Sequence, residues 1–235
     1  RYAIATGRAT NDPTAPLKDA LQAVLVRHMA AVLTPKQAGQ LLRDIDIYNG
    51  SPVTREALQL SALTFQRPGE IRQMEWAELD FDKALWTIPA AKMKRTKQAK
   101  MSGRPHYVPL SPQALASLER LRPLTGHHKY VFPSLLGEGR CMSENTVNTA
   151  LRRMGYDNET MTAHGFRAMA RTLIAEELNV AADVIEAQLA HGKAGPLGMA
   201  YDRAQYMNQR RDMMKKWATY LDKLRKGADV VKLRA

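Results

Sequence analysis

The residues in this chain whose types and spacing could do chemistry are cationic and phenolic. In Phe65-Gln66-Arg67-Pro68-Gly69-Glu70-Ile71-Arg72, Arg67 stands immediately before a helix opened by Pro68. A guanidinium there can hold a phosphate beside the positive end of the helix. Pairing with a nearby acid is its competing use. Thr162-Ala163-His164-Gly165-Phe166-Arg167 sets His164 and Arg167 three apart, on one face if the helix has begun. Capping or filling the core is the alternative for His164. Leu189-Ala190-His191-Gly192 ends a helix with a histidine and a glycine, which a plain C-terminal cap would also explain. Ten residues later comes Tyr201, in Met199-Ala200-Tyr201-Asp202-Arg203-Ala204.

Other chemistries lack their residues. Nuclease-type metal catalysis needs clustered Asp and Glu, or His with carboxylates at ligand spacing. The acids here are scattered, and Asp44/Asp46 and Asp80/Asp82 are accounted for by helix and turn patterns. No Walker-type glycine loop occurs, which argues against ATP. Neither a metal nor a cofactor is expected. The single cysteine, Cys141, rules out an internal disulfide framework and a thiolate zinc site, and fits a reducing cytosol. No apolar run reaches the length of a membrane span, so no membrane partner is expected.

Charge points to a partner. The 235 residues carry +12, with a pI near 9.9 and a mean hydropathy of −0.40. Residues 92–104 hold Lys92, Lys94, Arg95, Lys97, Lys100 and Arg104 with no acid, and 203–226 hold eight bases against Asp212 and Asp222. Each segment is +6 and the remainder is neutral. Two basic segments on a neutral body suit a polyanion-binding surface. A solvated face kept basic for solubility is the alternative.

The elements that must position these groups are mostly helical. Thr34-Pro35, Ser51-Pro52 and Ser111-Pro112 each place a capping hydroxyl before a proline at the first helical position. Apolar residues then recur at three and four: Leu41, Leu42 and Ile45; Leu58, Leu60 and Leu63; Leu115, Leu118 and Leu121. Further helices are expected from Ser143, over about 162–177 and 181–190, and over about 203–225 with Tyr206, Met213, Met214, Trp217, Tyr220, Leu221 and Leu224 on one stripe. Strands are expected at Ala84–Ile88 and His106–Leu110, with a third at Trp76–Phe81, and the basic loop at the hairpin tip. The fold class is mainly α with a small antiparallel three-stranded sheet (α+β). Residues 1–15 read as a linker from an upstream domain, 16–227 as one domain, and 228–235 as a tail.

In their order and spacing these motifs resemble the tyrosine recombinases, and more closely the integrases of temperate phages and genomic islands. The resemblance is carried by Arg67-Pro68-Gly69-Glu70, Trp86-Thr87-Ile88-Pro89-Ala90 through Met93-Lys94 to Pro105-His106-Tyr107-Val108-Pro109-Leu110-Ser111, and Met142-Ser143-Glu144-Asn145-Thr146-Val147-Asn148. It continues through His164-Gly165-Phe166-Arg167-Ala168-Met169-Ala170, Leu189-Ala190-His191 and Ala200-Tyr201-Asp202-Arg203-Ala204, spanning about residues 16–226. It implies the catalytic domain of such an enzyme, its arm-binding and core-binding domains lying upstream. It also implies strand cleavage and rejoining through a covalent 3′-phosphotyrosine.

Carried over by position, the resemblance assigns Arg67 and Arg167 to the scissile phosphate, His164 and His191 to the histidine positions, Lys94 to the sheet lysine and Tyr201 to the nucleophile. The loop from Met93 to Pro105 is longer than in close relatives, and Lys97 and Lys100 are alternatives to Lys94. Lys92, Arg95, Lys97, Lys100, Arg104, Arg203, Arg210 and Arg211 are the expected DNA-binding cations. Glu70 either orients Arg67 or simply complements the helix dipole. Tyr206, the competing nucleophile, aligns with Met213 and Trp217 and reads as core or interface. The implied partners are double-stranded DNA at attachment sites, three further copies of the chain on that DNA, and DNA-bending accessory factors. The implied location is the nucleoid in the bacterial cytoplasm. Val230, Val231 and Leu233 of the tail would dock on a neighbouring subunit, or else pack on their own domain. A type IB topoisomerase and an inactive DNA-binding module are the rival readings.

Overall fold

A computed structural model of the chain describes residues 2–18, 29–93, 103–135, 137, 139–191 and 206–227. Lys94, Arg95, Lys97, Lys100, Tyr201, Arg203 and the tail 228–235 lie outside the described residues. The helices are α1 (Tyr2–Ala5), α2 (Pro35–Asp46), α3 (Pro52–Thr64), α4 (Pro68–Arg72), α5 (Pro112–Thr125), α6 (Thr146–Arg153), α7 (Gly165–Leu178), α8 (Ala182–Gln188) and α9 (Met207–Arg225). Three strands, β1 (Leu79–Asp80), β2 (Leu85–Ile88) and β3 (His106–Pro109), form an antiparallel sheet in the order β1-β2-β3.

Two of the three Ser/Thr-Pro starts cap as their chemistry requires. The Thr34 hydroxyl accepts the Gln37 N–H at 3.3 Å, and Ser111 accepts that of Ala114 at 3.2 Å. Ser51 precedes Pro52 at the start of α3 without a side-chain cap bond. The helix expected from Ser143 begins at Thr146, because the Ser143 hydroxyl and carbonyl bond the N–H groups of Asn145 and Thr146 in a turn. Tyr206 takes a left-handed φ of 45° at the N-cap of α9, so that helix begins at Met207 rather than near 203.

Around α3 stand α2, α4, α5, α6, α7 and α9. Leu58, Leu60 and Ala62 on α3 are fully buried, with Leu41 and Ile45 of α2, Leu118 and Leu121 of α5, and Trp217 and Leu221 of α9. Full burial of each large aliphatic side chain contributes roughly 1.5–3 kcal/mol. The Trp217 indole N–H also donates to Ala62 O at 3.0 Å, pinning α9 to α3. In the sheet, Trp86, Ile88 and Val108 alternate inward with no exposure, and Trp86 pairs with Leu79 on one side and Val108 on the other. The strand expected over 76–81 is reduced to Leu79–Asp80. Trp76–Glu78 is a 3₁₀ turn, held by the Glu78 carboxylate on the Glu75 N–H at 3.2 Å and by the Trp76 indole on Thr125 O at 2.9 Å. Among the described residues no helix is long and apolar enough to cross a membrane.

Candidate active site

Arg67 is the N-cap of α4, in the extended conformation that a residue before proline prefers. Glu70 grips it twice, accepting its backbone N–H through Oε2 and its Nη1 through Oε1, each at 3.0 Å. The acid at the helix start therefore orients the guanidinium and satisfies the helix terminus together.

Arg167 lies on the first turn of α7. His164 caps that helix, and Gly165 follows because a Cβ there would meet Ala30 O at 2.4 Å and Met161 Sδ at 2.9 Å. His164 is exposed, whereas Arg167 is only 4% exposed. The Arg167 guanidinium donates from Nη1 to Phe65 O at 3.0 Å and from Nη2 to Leu189 O at 2.8 Å. Nη2 also lies 3.1 Å from His191 Nε2. Phe65 offers that carbonyl because it ends α3 in a left-handed conformation, its ring edge-on to Trp217.

His191 is delivered by the end of α8. Ala190 adopts φ 51°, its N–H bonds Ala187 O at 3.2 Å, and the His191 N–H bonds Glu186 O at 3.1 Å. This is a Schellman terminus, with alanine rather than glycine in the left-handed position. Gly192, the expected cap, lies outside the described residues. The turn meets both arginines: Leu189 O and His191 contact Arg167, and Ala190 O lies 3.5 Å from Arg67 Nη2. The preceding residue, Gln188, ties the turn to the frame. Its carbonyl accepts from Gln66 Nε2 at 3.0 Å and from His106 Nε2 at 3.1 Å, and its Oε1 accepts from Arg210 Nε at 2.8 Å. Residues about 120 apart in sequence thus converge on one turn.

Two guanidinium charges stand close together at this turn. Burial, then the positive charge of Arg67, pushes Arg167 down to about 10, with Glu70 and Glu186 pulling the other way. It remains protonated at neutral pH beside a second guanidinium. Glu186 is held low: burial alone would raise it, but hydrogen bonds from Arg171 and His191 outweigh that.

Of the other residues singled out by sequence, Lys94 and Tyr201 lie outside the described residues. Arg104 is exposed, and Arg211 donates to Lys83 O at 3.0 Å. Lys92 and Arg210 are not on an open surface. The Lys92 ammonium donates to Gln73 O and to Glu75 at 2.8 Å each, and to Glu78. Burial alone would lower the pKa of Lys92, and those two acids outweigh it and raise it. Arg210 is 3% exposed and also donates to Tyr107 O. Both cations brace the structure where a DNA-facing role is expected from sequence. Tyr206 is half-buried and packs on the core, as its place beside Met213 and Trp217 suggests. Glu186, Arg171 and Gln188 escape sequence reasoning, because only the folded α8 turn puts them beside the site.

Two guanidiniums and a histidine gathered at one turn, on a helical domain edged by a three-stranded sheet, define the class: this is the catalytic-domain fold of the tyrosine recombinases. Residues 31–207 match the phage integrase family, and the chain belongs to that family. It is 40% identical over 230 residues to the integrase of Enterobacteria phage P4, covering 94% of this chain and 52% of that protein. With the prophage integrase IntA of Escherichia coli it is 37% identical over 217 residues, covering 92% and 50%. The chain thus spans about half the length of these relatives. A lambda integrase dimer bound to a COC′ core site aligns with a TM-score of 0.57 at 18% identity, over 100% of this chain and 58% of that one. The integrase from mycobacterium phage Brujita aligns with a TM-score of 0.58 at 14% identity, over 95% and 72%.

Proposed function

We propose that the chain is the strand-transfer domain of a site-specific integrase that inserts and excises a mobile element. The observation that carries this reading is the convergence of Arg67 and Arg167 on the His191 turn. The Tyr201 hydroxyl oxygen attacks the scissile phosphorus, making a phosphodiester to the DNA 3′ end and releasing a 5′-hydroxyl; attack by an incoming 5′-hydroxyl reverses the step. Bond energy is kept in the phosphotyrosine, so no ATP is consumed. Charge developing on the phosphoryl oxygens is met by the two forked guanidiniums in place of a metal. His164 accepts the tyrosine proton, His191 orients the phosphate through the arginine it contacts, and Lys94 protonates the leaving 5′-oxygen. The substrate is double-stranded DNA at attachment sites in the bacterial nucleoid, bound by four copies with DNA-bending accessory factors. The test is a duplex nicked beside the scissile phosphate, which traps the covalent intermediate. A protein–DNA adduct resistant to denaturant is expected in excess EDTA without ATP. Absence of adduct, or a requirement for added metal, would refute the reading.

The cations are expected to divide into two groups. Lys92→Met removes the ammonium shared by Glu75 and Glu78, leaving them only Lys129 at 3.5 Å, the Trp86 indole and the Glu75 N–H, at a cost of about 2–3 kcal/mol read by denaturant unfolding. It should leave the slope of log affinity for DNA against log salt unchanged. Neutralising Arg95, Lys97 and Lys100 together should flatten that slope by about 0.9 for each phosphate that these bases no longer neutralise. A slope that falls for Lys92→Met and not for the triple variant would reverse the division.

A further inference from the structure

Strand transfer, as proposed above, gives no task to Glu186. Its two oxygens are nevertheless divided between specific partners: Oε2 lies 2.5 Å from His191 Nδ1, and Oε1 accepts from Arg171 Nε at 2.7 Å. As a brace for the fold the arrangement is worth little. The Arg171 and Glu186 side chains are 61% and 31% exposed, and ion pairs so open to water add little to stability. What the carboxylate controls is the ring it faces.

The geometry around that ring settles its proton. Arg167 Nη2 lies 3.1 Å from His191 Nε2, and a guanidinium nitrogen has only protons to offer. Nε2 is therefore the acceptor, and the ring proton is on Nδ1, pointing at Glu186. Which nitrogen of a histidine is available for function is set by the bond the other one makes. The ring itself is 45% exposed, so packing alone does not hold its rotation. The charged groups that face it are Glu186 on its own α8 turn and Arg167 on α7. Arg171 on α7 reaches it through Glu186, and Arg67 on α4 through the neighbouring Ala190 carbonyl.

We infer that Glu186 is a positioning residue: it ties Nδ1 of His191 and so leaves Nε2 to accept from Arg167 Nη2, holding the guanidinium that meets the scissile phosphate. Arg171 occupies the second carboxylate oxygen and fixes the rotamer of Glu186. The site then has two parallel carboxylate braces, Glu70 behind Arg67 and Glu186 behind His191. This inference rests on the proposed strand-transfer reading for its consequence in rate, but its structural content is measured separately.

Two variants of the whole chain test it. Glu186→Ala removes the brace, and Glu186→Gln keeps an acceptor of the same shape. Ring ¹⁵N shifts of His191 should show the Nδ1–H tautomer in the unsubstituted protein and averaging between tautomers in Glu186→Ala. On the nicked duplex, Glu186→Ala should slow single-turnover adduct formation by about ten- to a hundredfold, as a misplaced group does. DNA affinity and Tm should be unchanged, and Glu186→Gln should recover most of the rate. An unaltered ¹⁵N pattern in Glu186→Ala would overturn the inference, since Arg167 alone would then hold the ring. So would averaged tautomers with an undiminished cleavage rate. If the unsubstituted protein forms no adduct, the functional reading fails, while the ¹⁵N shifts still decide what Glu186 does to His191.

Discussion

Tyr201→Phe is expected to reduce covalent protein–DNA adduct below detection while leaving affinity for the duplex nearly intact. The ring is kept, and only the oxygen proposed to attack is lost, so binding and chemistry should separate completely. An unperturbed tyrosine has a pKa of about 10, and a nucleophile needs that proton removed or the phenolate stabilised. Other tyrosines of the chain are arranged the opposite way. Burial, followed by the charge of Glu177, pushes Tyr220 up to about 12. Tyr156 is raised by burial and by Asp44, whose carboxylate accepts its hydroxyl at 2.6 Å. Tyr206, five residues beyond Tyr201, packs on the core at the start of α9. Neither Tyr220 nor Tyr156 offers a substitute phenolate when Tyr201 is gone. Adduct that persists in Tyr201→Phe and vanishes in Tyr206→Phe would transfer the role to Tyr206.

Much of the frame is legible in the sequence, because its determinants are local. Thr34-Pro35 and Ser111-Pro112 cap and open helices using only neighbouring atoms, and the period-two pattern of Trp86 and Ile88 marks an inward strand face. Arg67 and Arg167 are readable too, each next to a helix start. What is not legible is decided by partners distant in sequence. Lys92 looks like one more base of a basic loop until β1 and β2 pair and bring Glu75 and Glu78 beneath it. Arg210 carries a missed signal: it stands three, four and seven residues before Met213, Met214 and Trp217, on the buried stripe of α9. Charge counted along the chain hides that, and a helical projection exposes it. Ala190 in place of a glycine cap has no such signal. Left-handed alanine costs roughly 1–2 kcal/mol locally, and the turn is over-determined by bonds to Gln188 and Leu189 from four separate elements and loops.

Arg167 should be the cation whose loss costs most, because it supports the fold and is proposed to serve the reaction. Arg167→Ala removes one of the two guanidiniums proposed to meet phosphoryl charge, an expected loss of about 3–4 kcal/mol of transition-state stabilisation, or roughly a hundred- to a thousandfold in rate. It also leaves Phe65 O and Leu189 O without their donors in the interior, and each buried unsatisfied acceptor costs about 1–3 kcal/mol. His191 Nε2 loses its partner as well. Arg67→Ala makes a contrast. The Arg67 side chain is 19% exposed, its backbone cap by Glu70 survives the substitution, and removing its charge relieves the repulsion that lowers Arg167. The two variants should therefore lose cleavage rate by similar factors, while only Arg167→Ala shows a large drop in Tm. Arg167→Lys keeps a charge but cannot fork between two carbonyls and a phosphate, so it should recover little of either property. Single-turnover cleavage on the nicked duplex, measured beside thermal unfolding, separates the two contributions. Equal Tm losses for Arg67→Ala and Arg167→Ala would show that the carbonyl bonds of Arg167 do not support the His191 turn. Full cleavage by Arg167→Lys would show that a point charge suffices where the geometry calls for a fork.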